Sequence, residues 1–167
     1  MDKASYLKNT SAFGVGVKKQ FYPWTELISD CSFLAKKLKS KKFNFVVAIS
    51  RGGLMPATLL AYLLKIKKLG TISYSHYLGD GVIGKLVLTL PPSVDIKNSR
   101  VLLVDDKADT GETLLAAKNL LAKKKNKITT VTLHFDPKSK IKPDFFANKV
   151  KNIWIVYPWE PPFKNKK

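Results

Sequence analysis

Residues 101–114 read VLLVDDKADTGETL, and this stretch decides how the chain is read. Val101, Leu102, Leu103 and Val104 form a continuous apolar run, the pattern of a short strand buried on both faces in a parallel sheet. The run ends in Asp105 and Asp106, which places two carboxylates where the sheet meets solvent. In open α/β sheets, ligands bind at that carboxyl edge. Thr110, Gly111 and Thr113 then supply hydroxyls and a permissive backbone ahead of a helix, TLLAAKNLLAKK. A helix N-terminus points free N–H groups and partial positive charge at a phosphate. One acid here would be no more than a helix cap. Three carboxylates this close repel one another, with Lys107 the one neighbouring cation, so the segment suits a ligand with a phosphate at one end and hydroxyls or a metal at the other.

A second stretch, AISRGGLMPA (48–57), repeats the order strand, short loop, helix. Gly52 and Gly53 allow close backbone approach, and Arg51 is one of two arginines among 30 basic residues. An arginine singled out from so many lysines marks an anion site. Two such loops at neighbouring strand ends fit a ligand with two phosphate groups. Neither is a Walker loop, and GVG at 14–16 lacks the third glycine and the preceding strand of a dinucleotide fingerprint.

The remaining pattern alternates helix and strand. Helices are expected over 24–40, 53–66 and 111–124. Strands are expected over 43–50, 71–77, 85–90, 100–105, 127–135 and 152–158, with a glycine-rich loop, LGDGVIG (78–84), between the second and the third. This rhythm implies one α/β domain over 1–167, a twisted, mostly parallel sheet flanked by helices. Its core would run from about 24 to 135, with a small hood from about 1–20 and 136–167. No apolar run approaches the roughly 20 residues of a membrane helix, and no secretory signal is visible. Cys31, the one cysteine, falls on the apolar face of a helix and reads as a core thiol in a reducing cytoplasm. The net charge of +18 would ordinarily suggest nucleic acid. A surplus made of lysine rather than arginine reads instead as solvated faces, attractive to a polyanionic small substrate.

Together these residues resemble the type I phosphoribosyltransferases. VLLVDDKADTGETL resembles that family's phosphoribosyl pyrophosphate signature without a gap, and ISRGGLMPA resembles its pyrophosphate loop. The branch indicated is that of the purine enzymes, xanthine-guanine and hypoxanthine-guanine-like, because Trp154, Ile155, Pro158, Trp159 and Glu160 match their C-terminal segment. The resemblance implies that Asp105 and Asp106 hold the ribose hydroxyls, directly or through Mg²⁺, and that Asp109 sits by the reacting base. It implies that Ala108, Asp109, Thr110, Gly111, Glu112 and Thr113 cradle the 5′-phosphate. Arg51, Gly52 and Gly53 would bind pyrophosphate, with a cis peptide of the kind common in this loop. Ser73 and Tyr74 would begin a lid over 75–85. Trp154 would stack on the base, the Ile155 carbonyl would read its edge, and Glu160 would contact the base or a second Mg²⁺. Phosphoribosyl pyrophosphate and a purine would be substrates, a nucleoside monophosphate the product, and a homo-oligomer (dimer or tetramer) the assembly.

The pattern breaks at one position. The 6-oxopurine enzymes carry a lysine after the penultimate strand, where this chain has Asp136, and an ionised carboxylate cannot donate to a carbonyl. Three readings stay open: Lys138 takes over, the base carries an amino group at that edge, or Asp136 merely caps the turn before Pro137. The leading function is therefore a Mg²⁺-dependent purine phosphoribosyltransferase of nucleotide salvage. The alternatives are an enzyme for adenine or another aminated base, and a non-catalytic phosphoribosyl pyrophosphate or nucleotide binder that contacts nucleic acid. His76, His134 and Trp159 read as lid, sheet and packing residues.

Overall fold

Among the described residues there are eight strands and three α-helices. They are β1 (Lys18–Phe21), α1 (Trp24–Leu38), β2 (Phe45–Ser50), α2 (Leu54–Leu63), β3 (Leu69–Gly79), β4 (Val82–Leu90), β5 (Arg100–Ala108), α3 (Glu112–Ala122), β6 (Lys127–Phe135), β7 (Phe145–Lys149) and β8 (Ile153–Val156). The computed structural model describes residues 18–79 and 82–160, side chains excepted at 77–79 and 82–83. The GVG segment, most of the N-terminal hood, the centre of the expected lid and the last seven residues lie outside them.

Six strands form one sheet in the order β4-β3-β2-β5-β6-β7. Every pairing is parallel except β3 with β4, so the expected mixed but mostly parallel α/β class is the one observed. From β2 the chain passes through α2 to β3 on one side; from β5 it passes through α3 to β6 on the other. Right-handed crossovers in opposite directions put the two helices on opposite faces. The strand order therefore reverses between β2 and β5, and the crevice at a reversal is where such sheets bind ligands.

Both faces of β2 and β5 are covered. Val47, Ile49, Val101 and Leu103 share a core with Leu114, Ala117 and Leu121 of α3. Val46, Ala48, Leu102 and Val104 are buried too, and α2 packs on both strands. Burial of each Val, Leu or Ile is worth about 1.5–3 kcal/mol, so these two strands form a rigid base for the loops that follow them. Helix α1 buries Leu27, Cys31, Leu34, Ala35 and Leu38, the stripe its spacing predicts. Burial, then the charge of Asp30, pushes the Cys31 thiol up to about 12, which makes it an inert core group.

Three sequence expectations need correction. Strand β5 does not stop at Asp105: β6 goes on pairing with it through Asp105↔Thr132, Lys107↔His134 and Ala108↔Phe135. Much of the expected loop is strand, because β3 and β4 form a long antiparallel hairpin with Ser75↔Val87 and His76↔Leu86 as partners. Strand β7 occupies a stretch of the expected hood in which no strand was foreseen. It extends the sheet beside β6, anchored where Asp144 Oδ2 accepts from the Thr130 N–H at 2.8 Å and its hydroxyl at 2.9 Å. Residues 136–151, assigned above to the hood, accordingly cluster with the larger of two units, Leu27–Lys151.

The smaller unit joins the segments Met1–Glu26 and Asn152–Lys167. In its described part β1 runs parallel to β8, from Lys18↔Ile153 to Phe21↔Val156. Aromatic rings hold it together. Tyr157 stacks on Trp159 at 4.6 Å and meets Tyr22 edge-on at 5.7 Å, while Trp24 lies 6.2 Å from Trp159. Trp159 is thus a packing residue.

Candidate active site

The loop after β2 lies directly on β5. A Cβ at Gly52 would run into the Asp106 carboxylate, and one at Gly53 would meet the Val104 carbonyl and stand 2.7 Å from that of Ile49. Neither glycine is there for its dihedral angles; each is there because the loop passes too close for a side chain. The Ser50–Arg51 peptide bond in this loop is cis, and Arg51 is exposed. Ser73 pairs with Ser50 across β2 and β3, its hydroxyl 3.4 Å from the Ser50 carbonyl. Tyr74 packs against the hydrophobic core, and burial raises its phenol pKa.

Successive side chains of a strand point to opposite faces, so Asp105 and Asp106 part company. Asp106, half-buried, turns to Gly52, and its Oδ1 accepts the Lys107 N–H at 2.6 Å. Asp105 is 8% exposed, and its Oδ1 accepts the Asp106 N–H at 3.0 Å. Burial first, and the charge of Asp106 second, push the Asp105 carboxyl well above its ordinary value. These oxygens are hard donors of the kind Mg²⁺ takes, and Mg²⁺ characteristically uses one or two carboxylates with waters and substrate phosphates for the rest. The pair fits that role. Among the described residues no cluster of three acidic, His or Cys side chains offers a protein-only cage.

Asp109 lies beyond the strand end between two lysines. Its Oδ1 is 3.0 Å from Lys138 Nζ and 3.3 Å from Lys107 Nζ. Lys138 belongs to the turn after β6, and Asp136 builds that turn. The Asp136 side chain is 1% exposed; its Oδ1 accepts the Lys138 N–H at 3.1 Å, and its Oδ2 lies 3.8 Å from Lys138 Nζ. The bond to Asp109 raises the Lys138 pKa. Buried His134, opposite Lys107 in register, is pushed down to about 4 by burial and then by Lys107, leaving its ring neutral.

The phosphate-cradle residues Ala108–Thr113 form the turn from β5 into α3. Gly111 sits at φ 77° as the N-cap of α3, a left-handed conformation that suits glycine, and the first N–H groups of a helix have no intrahelical partner. The same turn after β6 braces this cradle. A Cβ at Gly111 would strike the Ser139 hydroxyl. The Lys140 N–H donates to the Thr110 carbonyl at 2.8 Å, and Lys140 Nζ pairs with Glu112 at 2.5 Å. Lys140, then His76 more weakly, lowers the Glu112 pKa.

The structure therefore brings together the Arg51–Gly53 loop, Asp105, Asp106, the 108–113 turn, Asp136 and Lys138. Trp154, Ile155 and Glu160 fall in the smaller unit. Trp154 is 42% exposed and the Ile155 side chain is buried. The Glu160 N–H donates to the Tyr157 carbonyl at 3.1 Å, and burial raises its carboxyl pKa. Sequence reasoning missed the bracing by Ser139 and Lys140. It took Lys107 only as a neighbour of the acids, and in a chain this rich in lysine neither residue carries a local signal.

A phosphoribosyl transferase domain matches the chain over residues 18–166. The chain is 34% identical over 146 residues to a xanthine-guanine phosphoribosyltransferase of Desulfotalea psychrophila, covering 85% of this chain and 88% of that one. Its identity to the protein of the same name from Chromohalobacter salexigens is 32% over 141 residues, 82% of this chain and 81% of that one. Among solved structures, a purine phosphoribosyltransferase from Pyrococcus horikoshii Ot3 aligns with a TM-score of 0.79 at 33% identity, over 89% of this chain and 99% of that one.

Proposed function

The chain belongs to the phosphoribosyl transferase family and is an enzyme of that class, and from that premise we propose that it transfers the 5-phosphoribosyl group of phosphoribosyl pyrophosphate to a 6-oxopurine, releasing pyrophosphate. The observation that carries the choice of base is the turn after β6. The Asp136 carboxylate is buried and bound to that turn's own amide, while Lys138 projects its ammonium onto Asp109. An ammonium donates to an oxo group, and a carboxylate engaged in a buried turn is poorly placed to receive an amino group. This favours the turn-cap reading of Asp136 together with Lys138 as base reader, over the enzyme for an aminated base.

The chemistry follows from charge. As the ribosyl C1–O bond breaks, positive charge grows on the sugar and negative charge on the leaving pyrophosphate. Preorganised groups of opposite sign at those two places lower the barrier. Arg51, with the amides of Gly52 and Gly53, would meet the leaving group. Asp109 would face the ribosyl cation and the base N–H, and the 108–113 turn would hold the 5′-phosphate. Mg²⁺ on Asp105 or Asp106, with Glu160 as a candidate for a second ion, would supply further neutralisation of pyrophosphate. Trp154 and the Ile155 carbonyl would receive the base by stacking and by its edge. The β3–β4 hairpin, whose base includes Ser73 and Tyr74, would exclude water from the cation-like sugar.

Kinetics of Lys138→Met test the base assignment. Loss of one charged hydrogen bond costs about 1.5–3 kcal/mol, so KM for guanine should rise roughly 10–100-fold with kcat nearly kept. An unchanged KM would remove Lys138 from the base site.

A further inference from the structure

The geometry points to Lys107 as a positioning residue that keeps Asp109 in place once Lys138 has moved from that carboxylate to the oxo group of the base. The inference rests on the oxopurine reading above. Both ammonium groups now bind the same oxygen, Asp109 Oδ1, at 3.0 Å from Lys138 and 3.3 Å from Lys107. They differ in exposure and in anchorage. The Lys138 side chain is 51% exposed and that of Lys107 16%. Lys107 is rooted in the paired part of β5, opposite His134. Lys138 has its backbone fixed by Asp136, while its long side chain can turn about that anchor.

An ammonium drawn to a base carbonyl is no longer centred on Asp109. The carboxylate would then lose its shorter contact at the moment the sugar becomes cationic. Its aim matters there, because an ångström of misplacement can cost about 100-fold in rate. Lys107 supplies the contact that does not leave. The two lysines thus divide the work, one reading the base and the other holding the acid.

A double-mutant cycle separates this role from simple structural support. Wild type, Lys107→Met, Asp109→Asn and the double variant would be assayed with phosphoribosyl pyrophosphate, Mg²⁺ and guanine, with Tm measured for each. Lys107→Met should lower kcat roughly 10–30-fold while KM for guanine stays within about twofold, and Lys107→Arg should restore most of the rate. In the Asp109→Asn background the same substitution should cost less than about twofold. Equal losses in the two backgrounds would overturn the inference and leave the enzyme's activity standing. Lys107→Gln provides the same comparison if the Met variant does not fold. A wild type that turns over no oxopurine would overturn the function first, and the inference with it.

Discussion

At 8% exposure and with Asp106 next in the chain, the Asp105 carboxylate is held where its charge costs the fold free energy. Its pKa is raised in the folded state from an ordinary 3.8, by burial above all, so the folded protein holds this proton more tightly than the unfolded chain. The penalty is full at pH values above the raised pKa, shrinks as pH falls through it, and is gone below the unfolded value. Asp105→Asn keeps the oxygen that accepts the Asp106 N–H and removes the charge. It is expected to raise Tm at neutral pH by roughly 2–6 °C, with a gain that fades in acid, and to lower turnover. Thermal melts across pH check this; a lower Tm at neutral pH would show that Asp105 supports the fold. Lys107 and Lys138 make the complementary point about legibility. The acids at 105, 106 and 109 stand out in the sequence, and Lys138 is singled out by the family pattern, whereas Lys107, 31 residues earlier in the chain, looks like any other lysine and its pairing with Asp109 could not be read.

At the scale of elements, the strands that carry continuous apolar runs were legible, because burial on both faces leaves no polar positions. Strand β2 lies within the bounds its apolar run suggested, as does α2; β6 also keeps its bounds, Lys127–Phe135, although Thr130, Thr132 and His134 are buried in it, because its β-branched residues suit a strand. What could not be read depended on a neighbour. The continuation of β5 through Asp105, Asp106 and Lys107 needs β6 alongside it. The hairpin arms beyond His76 owe their form to each other. Strand β7, in DFFANK (144–149), has a composition closer to a loop than to a strand. Its anchor gives the expectation at this scale. Thr130 is fully buried, and Asp144→Ala would strip its N–H and hydroxyl of their acceptor. A loss of roughly 2–4 kcal/mol is expected, seen as a lower denaturant midpoint. Asp144→Asn, which keeps an acceptor oxygen, should recover most of it. Equal losses for both variants would mean that the charge, not the bond, holds β7.

For the molecule as a whole, the chain carries a net charge of +18 and its proposed substrate is a polyanion, and a positive net charge concentrates anions at a protein surface. Helix α2 turns Met55, Tyr62 and Leu63 outward at 40%, 81% and 48% exposure, large apolar groups on a helix whose other face is core. Such a face suits the homo-oligomer that the family resemblance implies, and sedimentation should then give a mass above that of the 18.7 kDa chain. A monomer at micromolar concentration would remove the assembly from the account. The most direct measurement is turnover of phosphoribosyl pyrophosphate with Mg²⁺ against hypoxanthine, guanine, xanthine, adenine, uracil and cytosine, following the nucleotide formed, with Asp109→Asn as control. Turnover of 6-oxopurines is expected, reduced about 10²–10⁴-fold in the control. Turnover of adenine alone, or saturable binding of phosphoribosyl pyrophosphate without turnover of any base, would contradict it.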